Sequence, residues 1–186
     1  MENTIFDEKP ALFRPALNYA LLISVAIIIL SLVFYLAGSY THSIHYWLAM
    51  AIFGAGLLYA SVMFRKDTNH APISYWRMVG FNTLTGLLTG ILTGIFAYIL
   101  LGFIAPDLLE QMRTDTIIAT ESMHLQINPN ISSEELDQFV KISLWMVTPL
   151  GVLLQMVFSR LFYGFVFGLV YSIFLKRKAP KDGLAV

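Results

Sequence analysis

Seven of the twelve carboxylates in this chain fall within one 37-residue segment, Ala105–Lys141. A cluster of that kind is the first place to look for acid–base or metal chemistry. Paired carboxylates work as general acid and base only where a pocket drives their pKa values apart, and spacing alone supplies no pocket. His42 and His45 form an H-x-x-H pair that suits two metal ligands on one helical face, without the third ligand a zinc site needs. His70 and His124 are isolated. Arg160 is the single charge in the apolar run Leu144–Leu175. Asn82, Gln155 and Ser159 are the other polar groups in apolar runs that could face it. A guanidinium at membrane depth marks a functional site by default, and phosphate is the group it would hold. No cysteine is present, which excludes disulfides, thiolate ligands and a Cys nucleophile. No P-loop, GxSxG, HExxH or dinucleotide fingerprint occurs. These residues assign no catalytic group and no metal set, and they imply no cofactor and no nucleic-acid partner.

The elements that would position these groups are membrane spans. The chain is 57% hydrophobic and 13% charged, with a mean hydropathy of +0.68, where a soluble domain carries about a quarter charged residues. Four apolar runs, Leu17–Gly38, Tyr46–Phe64, Met78–Ile104 and Leu144–Leu175, reach the ~20 residues a bilayer crossing requires. The first reads as a retained anchor: it is longer than a signal-peptide core, and Glu2, Asp7 and Glu8 spoil a basic leader. The expected fold is an all-α integral membrane protein of one domain, 1–186, with spans of about 17–38, 46–64, 78–104 and 149–175.

Lys and Arg orient it. Lys9, Arg14, Arg65, Lys66, Arg77, Lys176, Arg177, Lys178 and Lys181 lie on one side, and Arg113 and Lys141 on the other. Nine against two predicts cytoplasmic N- and C-termini and an extracytoplasmic helical insert of about 105–145 between the third and fourth spans. In that insert, Pro106 and Asp107 suit the start of a helix running to about Gln126. Ser132 and Glu135 spell a capping box for the next helix. Leu136, Phe139, Val140 and Leu144 carry that helix's apolar face directly into the fourth span, as one long helix whose first turns stand outside. The 32 residues of the last run make about 48 Å of helix, more than a ~30 Å core accepts. Pro149 and Gly151 are its natural breaking points. Asp107 and Glu110 are then candidate outer partners of Arg160, which would lean outward toward them.

The third span repeats Thr-Gly every four residues in LTGLLTGILTG (Leu84–Gly94). Gly86, Gly90 and Gly94 share a face as a glycine zipper, with Thr85, Thr89 and Thr93 beside it. Small residues at that spacing let helices approach closely in lipid. The contact is either internal to the chain's own bundle or the seam of an oligomer.

The ordered features resemble a known family. They run R-K-D…I-S-Y-W (Arg65–Trp76), the glycine-rich span, F-I-A-P-D-L-L-E-Q (Phe103–Gln111), S-S-E-E-L-D-Q-F (Ser132–Phe139), Thr148-Pro149 and a basic end. The chain is similar to the bacterial membrane proteins, mostly of Bacteroidota, grouped as domain of unknown function 4199. It departs at Ala105, where the family usually has Asp, and at Arg160, where a small or weakly polar residue is expected. The resemblance implies a four-helix inner-membrane protein. It suggests a polyprenyl-phosphate glycosyltransferase as a membrane partner, and it carries over no catalytic residue. The leading expectation is a non-enzymatic inner-membrane subunit or adaptor, in contact with lipid and homo- or hetero-oligomeric through its spans. The alternative is a small oligomeric transporter or lipid flippase with Arg160 in its polar path.

Overall fold

The computed structural model describes residues 12–67 and 73–175. Lys9, His70, Pro72 and the basic residues Lys176, Arg177, Lys178 and Lys181 lie outside the described residues. Six α-helices follow in order: α1 (Phe13–Leu36), α2 (Ser43–Asp67), α3 (Tyr75–Ile99), α4 (Pro106–Ile127), α5 (Ser133–Met146) and α6 (Pro149–Leu175). No strand occurs among the described residues. Helices α1, α2, α3 with its π-helical extension to Ile104, and α6 are long and apolar enough to cross a membrane. They close a ring in which α1 packs on α2 and α3, and α6 packs on α3 and α2.

The turns explain how the ring closes. Helix α1 stops at Gly38, whose φ of 65° suits a residue without a side chain. Gly38 N–H donates to the Tyr35 carbonyl and Ser39 N–H to the Phe34 carbonyl, the paired bonds of a Schellman stop. At the far end of α3, Ala105 N–H donates to the Leu100 carbonyl at 2.7 Å. That wide turn ends where Pro106 pushes Ala105 out of helical geometry (φ −134°, ψ 61°) and starts α4.

The one-helix reading of 133–175 is corrected here. The chain breaks at Val147 (φ −98°, ψ 47°), and α6 begins afresh with Thr148 Oγ1 accepting from Gly151 N–H at 3.0 Å. Pro149 has no N–H to continue α5. The corner is so tight that a Cβ on Gly151 would lie 2.6 Å from the Trp145 and Met146 carbonyl oxygens.

Packing is layered along the bundle. At the end opposite α4 and α5, Phe64 and Phe81 stack with centroids 4.2 Å apart among Ala16, Ala60 and Met78. Ile23, Ile27, Ala49, Phe53 and Leu57 fill the space between α1 and α2. At the other end Ala97, Leu101, Leu109, Val147 and Val152 seat α4 on α3 and α6.

Candidate functional site

Between the packed layers lies a cavity of about 560 Å³. All four membrane-length helices, the α1–α2 turn and α4 contribute to its wall, and Arg160 is part of its lining.

The glycine face of α3 sets the depth of Arg160. A Cβ on Gly86 would sit 2.5 Å from the Arg160 carbonyl oxygen, and one on Gly90 2.9 Å from the Val157 Cα. Gly94 meets Leu153 in the same way, and Gly164 and Gly168 of α6 answer with backbone contacts to Asn82 and Val79. Backbone lies against backbone along this seam, so Gly86, Gly90 and Gly94 face α6 of the same chain. The Arg160 side chain crosses to α2, where Nη1 donates to Met50 Sδ at 2.8 Å. Its Cζ lies 4.8 Å from the centroid of Phe53. The residue is 8% exposed.

Among the described residues no carboxylate pairs with Arg160. Glu110 takes its bond from Arg113 instead, at 2.7 Å, and neither Asp107 nor Glu110 lines the cavity. The expected outer partners are therefore not what the guanidinium reaches. Tyr46, Tyr163 and His45 are the titratable side chains that interact with it electrostatically. A thioether is a weak acceptor, and a desolvated cation–π contact is worth about 2 kcal/mol. Taking an ion out of water costs several kcal/mol. The contacts inside the chain thus fall short of balancing a charge that cannot be shed by deprotonation.

Gln155 and Ser159 share the cavity with Arg160. Asn82 does not: it is fully buried nearer the other end, accepting from Ser61 Oγ at 2.9 Å and donating to the Met78 carbonyl. The threonine row turns inward as well. Thr85, Thr89 and Thr93 each donate to the carbonyl four residues back at 2.8 Å, and of the three only Thr93 touches the cavity. Ser132 and Glu135 cap α5 far from it, exchanging bonds between side chain and backbone.

Ser31, Tyr40 and Thr116 of the wall escaped the sequence reading, and His45, read there as half of a candidate metal pair, has another role. His45 bridges Ser31 Oγ (3.1 Å) and the Tyr40 carbonyl (3.0 Å), which ties it into the α1–α2 turn. Ser31 and His45 lie seven residues on either side of Gly38, so a hairpin folded at that glycine brings them together. That symmetry was the available signal. His42 lines the cavity too, but among the described residues no group of three or more His, Asp or Glu is placed to hold a metal. Tyr40 is held in an apolar niche with Leu100 and Ala105, and burial pushes its phenol up to about 12. Asp115 and Thr116 of α4 stand at the cavity wall, Asp115 solvent-exposed.

A family model described as protein of unknown function (DUF4199) matches residues 18–177. The chain belongs to that family. The match takes in α1 from residue 18 onward, the whole of α2 to α6 and every residue of the cavity wall, so the cavity lies wholly within the part of the chain the family defines. No curated protein and no solved structure matches the chain significantly.

Proposed function

We propose that this DUF4199 member is a membrane protein that binds a phosphate-bearing ligand in the cavity at Arg160. The observation that carries this reading is a guanidinium 8% exposed, with no carboxylate partner among the described residues, in the wall of a 560 Å³ cavity. A charge so placed calls for an anion to complete it. Phosphate suits the wall: its several oxygens can accept from the guanidinium and from hydroxyls of Ser31, Tyr46, Thr116, Ser159 and Tyr163, once these turn from the partners they now hold. Such capture is the step a small transporter or lipid flippase needs first. The charge count of nine against two supports cytoplasmic termini and a cavity on the extracytoplasmic side of a bacterial inner membrane.

Ligand-induced stabilisation of the purified chain tests the reading. Dihexanoyl phosphatidic acid at about a hundred times its Kd would add about 2.7 kcal/mol, a rise in Tm of about 5–10 °C for a chain this size. Dihexanoyl phosphatidylcholine would give less and dihexanoylglycerol nothing. The rise would vanish in Arg160→Gln. Equal shifts in wild type and variant would sink the proposal.

A second reading, the subunit or adaptor, draws on α4 and α5. Helix α5 buries none of its residues, and Ile127 (76%) and Trp145 (61%) are widely exposed. Crosslinking in native membranes would favour this reading if partner adducts fall on α5, a lipid-linked glycosyltransferase being one such partner.

A further inference from the structure

The cavity has two approaches, and they differ in charge. Toward the aqueous end it is bordered by α4, with Asp115 exposed at the wall. The segment Ala105–Lys141, which α4 and α5 occupy, carries seven carboxylates against Arg113 and Lys141. A free anion approaching from that side meets a field of its own sign.

The sides of the ring are not equally closed. Around the cavity α1 joins α2 through Ser31–His45 and the Phe34–His45 ring contact. Helices α1 and α3 meet through Tyr35, Phe96 and Leu100, and α3 and α6 through Gly94 and Leu153. The seam between α2 and α6 is different. Its contacts lie at the Tyr46–Tyr163 side-chain hydrogen bond, at Arg160–Met50 and deeper, at Phe53–Phe167 and at Tyr171 Oη donating to the Gly54 carbonyl. Outward of Met50, toward α4, the cavity wall on these two helices includes Tyr46 and Gln155, both exposed and uncharged. Trp47, Leu150 and Phe158 of the same two helices are exposed as well, so the outer halves of α2 and α6 present an uncharged, apolar face.

We infer that the ligand is an amphiphile, a long-chain lipid phosphate that enters sideways between the outer halves of α2 and α6. This inference rests on the phosphate-binding reading above and adds the source of the phosphate and its route. The headgroup passes Tyr46 and Gln155 to reach Arg160, and the hydrocarbon chain stays between the two helices in contact with bilayer. Asp115 sets the specificity against soluble phosphates: it opposes their entry from water, while a lipid arriving through the uncharged seam never crosses it. No bond is made or broken.

The test uses the full chain in phosphatidylcholine nanodiscs, doped with phosphatidic acid that carries a diazirine high in its acyl chain. After irradiation, adducts are mapped by peptide mass spectrometry. We expect them to concentrate on residues 43–50 and 155–163. Replacing the probe by a phosphatidylcholine diazirine would lower that concentration about tenfold, as would Arg160→Gln, the loss of one charged hydrogen-bonding partner. Arg160→Lys would retain part of it. Inorganic phosphate in large excess would not compete. Adducts spread evenly around the ring, or focused on the α1–α3 side, would overturn the lateral route. If inorganic phosphate stabilises wild type through Arg160 and abolishes lipid labelling, the ligand is a soluble phosphate. The binding reading then stands and this inference falls. The wild-type map does not depend on any variant folding, and far-UV circular dichroism checks each variant used.

Discussion

Gly86→Ala adds one methyl group to the tightest point of the α3–α6 seam. Its carbon would lie 2.5 Å from the Arg160 carbonyl oxygen and 3.0 Å from the Gly164 Cα. Both neighbours are backbone in the middle of α6, so neither can rotate away, and the helices must part by roughly an ångström. A gap of that size forfeits about a quarter to a half of the dispersion well at each neighbouring contact. The loss spreads to Gly90 and Gly94, which are seated at 2.9 and 3.1 Å by the same measure. Overpacking of this kind costs about 1–3 kcal/mol, and the absence of a flexible neighbour puts Gly86→Ala near the upper end. Gly102→Ala is the control, because its methyl would meet Pro149 at an ordinary 3.7 Å and should change stability by less than about 0.5 kcal/mol. Unfolding in mixed micelles with rising dodecyl sulfate, followed by circular dichroism, reads both. If Gly86→Ala unfolds with wild type, or Gly102→Ala falls as far, the close-approach argument fails. Gly86→Ala with Gly164→Ala should cost less than the two alone sum to, because both act on one contact.

Other predictions concern the ends of the bundle. Arg113→Ala removes the Nε bond to the Val147 carbonyl at 3.2 Å and the Glu110 pair. Hydrogen exchange at 147–151 should quicken, while Glu110→Gln, which breaks only an exposed pair worth at most about 1 kcal/mol, should leave it nearly unchanged. Ser132→Ala deletes the α5 cap and should cost about 1 kcal/mol, seen as faster exchange confined to the first turn of α5. Tyr40 is held at about 12, against 10.0 when exposed, so its neutral form is the one the fold favours. That contribution is complete below pH 10 and is lost as pH climbs from 10 toward 12. Between those limits wild type should lose about 2–3 kcal/mol that Tyr40→Phe does not lose.

The architecture was legible because its signals are long and local. Uncharged runs near twenty residues announce spans, Pro106 and Ser132 announce helix starts, and a Thr-Gly repeat announces a close helix seam. The break at Val147–Thr148 was half legible. Pro149 and Gly151 marked it, but the apolar face of α5 runs in register toward α6 and argued for continuity. The site was less visible because its members come from distant stretches. Arg160 stood out as a lone charge, yet Met50 and Phe53, the groups it touches, look like ordinary lipid-facing residues in sequence. Asn82 was grouped with Arg160 because both are polar in apolar runs; the antiparallel course of α3 and α6 places Asn82 beside Gly164 and Gly168 instead. Glu110 was grouped with it by side of the membrane, and a neighbour three residues away took the bond. The Gly164–Gly168–Ser172 spacing on α6 was present in the sequence as the mate of the α3 glycines, and it names the partner helix that the repeat alone could not.

The claim that a phosphate completes the charge of Arg160 is open to a direct distance measurement. In bilayers holding the lipid phosphate, dipolar dephasing between arginine guanidinium 15N and 31P reports any phosphate within about hydrogen-bonding reach of an arginine. Surface arginines contribute a background that the Arg160→Gln variant shares. Wild type should show a strongly dephased guanidinium signal that is missing from Arg160→Gln. Identical dephasing in the two proteins would contradict it.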